Sequence, residues 1–62
     1  MYMYKVKNVN VKLSDFKYAV ISKISENLWN FCGAYNSMIL SQNKYNEVEN
    51  GLIIEASKIE AI

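Results

Sequence analysis

The stretch ENLWNFCGAYNS, residues 26–37, decides the fold that this sequence predicts, because it has the pattern of a central strand. Successive side chains of a strand point to opposite faces. Three large rings therefore share one face of the predicted strand: Trp29, Phe31 and Tyr35. Apolar groups without rings share the other face: Leu28, Cys32 and Ala34. A strand that is apolar on both sides is buried on both, so we expect a helix over the smaller groups and another surface over the rings.

Two further strands are predicted before this stretch. Residues 16–25, FKYAVISKIS, alternate in polarity, and the turn signal at residues 25–27 joins them to the central strand as a hairpin. Residues 2–13 also alternate, but their phase slips once. A β-bulge near Asn8 would bring their apolar residues back to one face. We therefore predict a strand over residues 2–13 as well.

A helix is predicted after the central strand. Asn36 and Ser37 are suitable capping residues, and apolar or small residues follow at spacings near 3.6: Ser41, Tyr45, Val48 and Leu52. The helix should cover about residues 38–49 and end at Asn50-Gly51, where glycine would supply a positive φ.

Met38, Ile39 and Leu40 conflict with this helical stripe, because three consecutive residues cannot all face the sheet. Two interpretations follow. Either the chain continues as a strand after a turn at residues 36–37, which makes the protein all-β, or part of this trio is exposed to a partner.

The last predicted strand is LIIEAS, residues 52–57, and the tail KIEAI either extends it or frays. The predicted fold is therefore α+β: a small antiparallel sheet of about four strands with one helix, in the order strand, strand, strand, helix, strand. Residues 1–62 form a single domain, as expected for a chain of this length.

Composition limits how such a small domain can be stabilised. A chain of 62 residues buries only about 60% of the surface that its unfolded form exposes. Cys32 is the only cysteine and histidine is absent, so we expect neither an internal disulfide nor a metal site. Self-association remains as the expected remedy. No apolar run is long enough for a membrane span and the N-terminus is not signal-like, so we expect a cytoplasmic protein without membrane contact.

The residues that most enzymes need are missing. Without histidine the commonest general base at neutral pH is absent, and no serine lies in a G-x-S-x-G motif. Gly33 and Gly51 are far apart, so no glycine-rich loop can hold a phosphate. We therefore expect no catalytic residues, no cofactor and no small-molecule substrate.

Several segments resemble short proteins of Gram-positive bacteria, their phages and their mobile elements, which have patterns such as LWFYGAYDS, a helix and then GGIVIE. The matching pieces are YAVISKI at 18–24, LWNFCGAYNS at 28–37, YNEV at 45–48 and NGLIIE at 50–55. The chain departs from that pattern at Asn30, at Asn50 and at the apolar residues 38–40. The resemblance implies a strand-strand-helix-strand fold and a phage or mobile-element origin, and the composition is typical of low-GC Gram-positive genomes. It names no catalytic residue. Some phage proteins of this size and architecture are homodimeric inhibitors of host enzymes, including uracil-DNA glycosylase inhibitors, and others antagonise antiviral defence.

We therefore expect stoichiometric protein binding, by a homodimer that inhibits a host enzyme or an antiviral defence system. The expected partner or dimer interface combines rings with exposed apolar residues: Trp29, Phe31, Tyr35, Tyr2, Tyr4, Met38 and Ile39. The opposing interpretation is that the rings fill the protein's own core. A single-stranded nucleic-acid-binding module is the alternative function, with rings stacking bases beside Lys5, Lys7 and Lys12. The net charge of +1 and the absence of arginine count against it.

Overall fold

The computed structural model of the protein describes residues 3–62 and has an α+β fold, as predicted. Its helix and strands follow in this order: β1 (Tyr4–Lys7), β2 (Tyr18–Ser25), β3 (Leu28–Tyr35), α1 (Met38–Glu47), β4 (Gly51–Glu55) and β5 (Ile59–Ala61). Short 3-10 turns lie at Leu13–Asp15 and Ala56–Lys58. The predicted hairpin of β2 and β3 and the helix after it are confirmed, while the sheet has five strands rather than four.

The strands form one mixed sheet in the order β4-β2-β3-β1-β5. β2 is antiparallel to both β3 and β4, whereas β1 is parallel to β3 and to β5. The prediction of an antiparallel sheet is therefore wrong for its β1 and β5 side. The tail KIEAI does not fray, because residues 59–61 pair with β1 in the register Tyr4 to Ile59.

The sheet is strongly curled, because the chain between its two edge strands, β4 and β5, is too short to connect them in a flat sheet. In a flat sheet β4 and β5 would lie four strand spacings apart, or about 19 Å. The four residue steps from Glu55 to Ile59 reach at most about 14 Å. The chain can make this connection only if the sheet bends round and brings its edges closer. The resulting molecule measures 27 × 25 × 22 Å.

One face of this sheet, here called the inner face, carries the hydrophobic core. Buried residues from four strands and from the link between β4 and β5 form the main cluster: Val6, Ala19, Ile21, Ile54, Ala56 and Ile59. The connection between β1 and β2 lies over this cluster, and its residues Val9, Leu13 and Phe16 pack against it. The inner face is therefore closed by the chain itself.

That connection corrects the prediction of one strand over residues 2–13. Within the described residues β1 ends at Lys7, and Asn8 follows with a φ of 65°. Asn8 thus lies in the left-handed region that asparagine tolerates better than most residues. The chain turns at the position where a bulge was expected, and the apolar residues after it cover the core instead of extending the strand.

Helix α1 packs on the opposite face of the sheet, here called the outer face, against β2, β3 and β4. Ser41 is the buried residue of this helix. Val20, which is also fully buried, lies on this side of β2, because its neighbours Ala19 and Ile21 belong to the inner core. The strands, α1 and the covering connection form three layers around this small sheet.

Candidate functional site

The predicted interface rings Trp29 and Phe31 pack into the protein's own core. Both are half-buried and contact the cluster on the inner face, where Phe31 lies opposite Ile21 across the β2–β3 pair. Tyr4 meets Trp29 edge-on, with ring centroids 5.6 Å apart and an angle of 81° between the planes. For Trp29 and Phe31 this packing agrees with the opposing interpretation, in which the rings contribute to the protein's own core. Residues of the β1–β2 connection, which was predicted as a strand, contact the same cluster.

Tyr35 does not share a face with these rings, which corrects a second prediction. The pairing of β2 with β3 shifts between Val20 and Ile21, so that Gly33 faces Val20 while Phe31 faces Ile21. Cys32 is the extra residue of this bulge. One extra residue reverses the phase of a strand, so Tyr35 lies on the outer face and Ala34 on the inner one.

The ring of Tyr35 lies across Gly33 on the outer face. A Cβ atom at Gly33 would approach the Tyr35 hydroxyl oxygen to 2.7 Å and its ring carbon Cε2 to 2.9 Å. Gly33 does not have a positive φ. This glycine therefore serves close packing rather than an unusual backbone conformation.

The indole N–H of Trp29 is buried and has no hydrogen-bond partner among the described residues. Trp29 lines two open depressions, one together with Lys23, Glu26 and Asn50 and the other together with Lys5 and Asn27. The nitrogen is sealed from solvent, so neither depression offers it to a ligand. The unpaired donor is a cost to folding of about 1–3 kcal/mol rather than part of a binding site.

Exposed large apolar residues lie apart from one another at Val11, Ile24 and Ile62, but three consecutive ones lie at the start of helix α1. Met38, Ile39 and Leu40 have 42%, 70% and 52% of their surface exposed. Of the two interpretations of this trio, the structure supports the helical one: the Ser37 side chain caps the helix by accepting a hydrogen bond from the Leu40 N–H at 3.4 Å. The trio is therefore held on a capped helix and points largely into solvent.

The residue of helix α1 that is fully buried is a small polar one, whereas its large apolar residues are only partly covered. Ser41 is completely buried, and its hydroxyl donates to the Ser37 carbonyl at 2.9 Å. A small side chain allows the helix to lie close to the strands. With Ser41 facing the sheet, the 100° step between residues places Ile39 on the far side of the helix and puts Met38 and Leu40 on opposite flanks.

Sequence reasoning placed Tyr45 in the buried stripe and left Leu40 out of the predicted interface. Both are exposed, Tyr45 by 42%. The conflict between the apolar trio and the helical stripe was the signal that identified Met38 and Ile39, and it applied equally to Leu40. Tyr2, also predicted at the interface, lies outside the described residues.

The lysines predicted to contact nucleic acid are exposed, and one of them, Lys5, lines a depression that Trp29 also lines. Lys5 and Lys7 flank the buried Val6 on β1, so their side chains leave the sheet on its outer face. Trp29 and Phe31 lie on the inner face. Lys12 lies in the exposed part of the β1–β2 connection. Of these cations, the structure therefore brings Lys5 near Trp29, while Lys7 and Lys12 share no depression with the two inner rings.

Residues 3–62 contain no group of three or more potential metal ligands. In the same part of the chain, no helix has both the length and the apolar character that crossing a membrane requires. No protein-family model, curated protein or solved structure shows significant similarity to this chain. The geometry of the described surface is therefore the basis for any functional proposal.

Proposed function

We propose that the protein is a non-enzymatic, homodimeric inhibitor from a phage or mobile element, which binds a host protein stoichiometrically in the cytoplasm. The observation that supports this proposal most directly is the exposed apolar trio at the start of α1. Ile39 and Leu40, the most exposed of the three, form the centre of the target-binding surface in this proposal.

The energetics favour a binding role for these side chains. Burying an isoleucine or leucine side chain contributes about 1.5–3 kcal/mol to the free energy of folding or binding. The small core of a domain this size gives only a small free energy of unfolding. Yet α1 places Ser41 against the sheet and leaves three large apolar residues in solvent. The part of each side chain that stays exposed contributes nothing to the fold, but it gains this free energy when a partner covers it.

The helix also reduces the entropic cost of binding. Because the Ser37 side chain caps α1 and Ser41 is fully buried, the backbone of the trio is already ordered before a partner arrives. A preordered apolar surface loses less conformational entropy on association than a flexible loop does. An amphipathic groove on the target, complementary to the outward side of a short helix, is the kind of site that this surface fits.

The experiment is affinity capture from a lysate of a low-GC Gram-positive host, with Ile39→Glu compared with the wild type. The matched control is Asn46→Glu, which puts the same charge on an exposed position two turns further along the same side of the helix. We expect wild type and control to retain a common stoichiometric partner, and Ile39→Glu to bind it about 30-fold more weakly, the loss typical of an interface hot spot.

Equal retention of that partner by all three proteins would place the binding surface elsewhere on the molecule. Failure of the wild type to retain any stoichiometric partner would contradict the proposed function itself. A captured partner that is an enzyme is then assayed with increasing amounts of the protein, and inhibition should be complete near one equivalent.

A further inference from the structure

Strand β4 exposes one row of backbone hydrogen-bonding groups, and the structure identifies which residues carry them. The Lys23 N–H donates to the Asn50 carbonyl at 3.1 Å, and the Ala56 N–H donates to the Lys17 carbonyl at 2.9 Å. Both bonds lie in the register that joins β2 and β4. Hydrogen-bonded and non-hydrogen-bonded pairs alternate in an antiparallel ladder, so Leu52 and Ile54 also bond to β2.

The intervening residues of β4 must therefore direct their N–H and C=O groups away from β2. These residues are Gly51, Ile53 and Glu55. β4 is an edge strand, and no further strand pairs with it among the described residues. The outer edge of β4 thus presents a regular row of donors and acceptors without partners in the sheet.

Most of this edge lacks the features with which proteins usually protect a sheet edge, and its charged residue, Glu55, lies at the end of the strand. Such protection comes from charged side chains, proline, bulges or a very short strand. Residues 51–54, GLII, carry no charge and no proline, and the pairing of β4 with β2 has no register shift. The other edge, β5, differs: it has three residues, and the charged Glu60 is at its centre.

We propose that β4 pairs antiparallel with β4 of a second copy, about a two-fold axis at Ile53, so that two sheets become one continuous sheet. In this register Ile53 of one copy faces Ile53 of the other, and Gly51 faces Glu55. The proposal rests on the homodimer that forms part of the proposed function and names its interface. Binding of the host target through Ile39 and Leu40 does not depend on it.

Backbone geometry selects this register. With the axis at Ile53, all outward-facing residues of both copies meet as hydrogen-bonded pairs, which gives about six new hydrogen bonds from the alternation of an antiparallel ladder. If the axis is moved to Leu52 or Ile54, only two of the three outward-facing residues of each strand face an outward residue of the other copy. The third then loses its hydrogen-bonding partner in the opposite β4.

Charge supports the same choice. With the axis at Ile53, the carboxylate of Glu55 lies beside a glycine of the other copy and the two carboxylates lie at opposite ends of the interface. An axis at Glu55 would set two carboxylates directly opposite each other, an arrangement that destabilises strand pairs. A two-fold at the centre of β5 has the same fault, because Glu60 would face Glu60.

Helix α1 contributes apolar contacts to this dimer from the outer face. Tyr45 lies beside the start of β4, since its Cδ1 atom is 3.4 Å from the position of a Cβ at Gly51. Met38 is seven residues earlier and therefore on the same flank of the helix. In the dimer the two β2 strands lie about 14 Å apart, a separation that these long side chains can fill from both helices. This contact accounts for the exposure of Met38 and Tyr45.

Two measurements test the proposal. Light scattering coupled to size exclusion at micromolar concentration should give about 14.4 kDa, twice the 7.2 kDa of one chain. Cysteine cross-linking then locates the interface, in a Cys32→Ala background that removes the natural thiol. Facing residues of a hydrogen-bonded pair have Cα atoms about 5.5 Å apart, within the roughly 4.4–6.8 Å range of disulfides. Ile53→Cys should therefore form a disulfide-linked dimer on mild oxidation.

Glu60→Cys is the matched control, since it puts a thiol at the centre of the other edge strand. We expect it to remain monomeric on a non-reducing gel under the same oxidation. A mass of 7.2 kDa for the wild type would overturn the proposed dimer. A dimeric mass with cross-linking at residue 60 but not at residue 53 would overturn the β4 interface. Neither result would affect the capture experiment with Ile39→Glu, so the two proposals fail separately.

Discussion

The inner face of the sheet and the helix on its outer face use their apolar residues in opposite ways. On the inner face, Phe31 and Trp29 pack against the core cluster that the connection from β1 to β2 also contacts. On the helix, a serine makes the buried contact while Met38, Ile39 and Leu40 face solvent. The comparison separates residues that hold this small fold together from residues that are available to a partner.

This difference has a geometric origin. A curled sheet encloses one face, so a ten-residue connection and a short 3-10 turn suffice to close it. The opposite face of a curled sheet is convex and cannot be enclosed in this way. One helix covers its middle, and the far side of that helix has nothing above it in the chain. The apolar residues that remain exposed are therefore concentrated on α1.

The largest expected effect comes from truncating the inner face. Phe31→Ala removes a ring from the core cluster, and such changes typically cost about 3–5 kcal/mol. That approaches the whole stability expected for a domain of this size, so the variant should be largely unfolded at 25 °C by circular dichroism. Ile39→Ala, which truncates the most exposed residue of the trio, should lie within about 0.5 kcal/mol of the wild type in urea denaturation.

These two variants decide whether the comparison holds. Similar losses in both would mean that the trio on α1 contributes to the fold, and that its exposure in solution differs from the structure. All stabilities should be measured at one protein concentration, because self-association makes the unfolding midpoint depend on concentration.

A smaller effect is expected at the contact between the helix and the sheet. Ser41→Leu puts a large side chain where a fully buried serine now lies, and overpacking of this kind typically costs about 1–3 kcal/mol. Asn43→Leu adds the same side chain at an exposed position of α1 and should change the free energy of unfolding by less than about 0.5 kcal/mol. Urea titration followed by circular dichroism measures both.

A stable Ser41→Leu variant would show that the helix can move away from the strands with little loss. The close approach of α1 would then not require a small residue, and the exposure of the trio would need another explanation. Equal destabilisation by Asn43→Leu would indicate that the effect arises from the helix surface rather than from its contact with the sheet.

Local patterns in the sequence were sufficient to predict β2, β3 and α1. The alternation of residues 18–25, the turn before Leu28 and the capping residue Ser37 all act over a few neighbouring residues. The exposed trio was also detectable, because Met38, Ile39 and Leu40 contradicted the stripe that the rest of the helix required. Such features depend on short-range geometry and need no knowledge of the whole fold.

The arrangement of the sheet was not predictable in the same way. The bulge at Cys32 moves Tyr35 to the outer face, and its local sign, the isolated Gly33 beside it, indicates equally well a close approach of the backbone. The parallel pairing of β1 with β3 and β5 is non-local, and nothing in residues 4–7 specifies it. The turn after α1 is a third example: the positive φ belongs to Asn50, at 54°, and not to Gly51 as predicted.

The smallest expected effect concerns the cover of the inner face. The Asn36 side chain joins the end of β3 to that cover, since its Oδ1 accepts from the Lys17 N–H at 2.9 Å and its Nδ2 donates to the Asp15 carbonyl at 3.1 Å. Asn36→Ala removes both hydrogen bonds, which at an exposed site should cost about 1 kcal/mol in urea denaturation. Asn46→Ala, at an exposed helix position, should cost nothing measurable. If the two variants are equally stable, packing of Phe16 and Leu13 alone holds the connection over the core, and the inner face is closed by apolar contacts without help from this polar clamp.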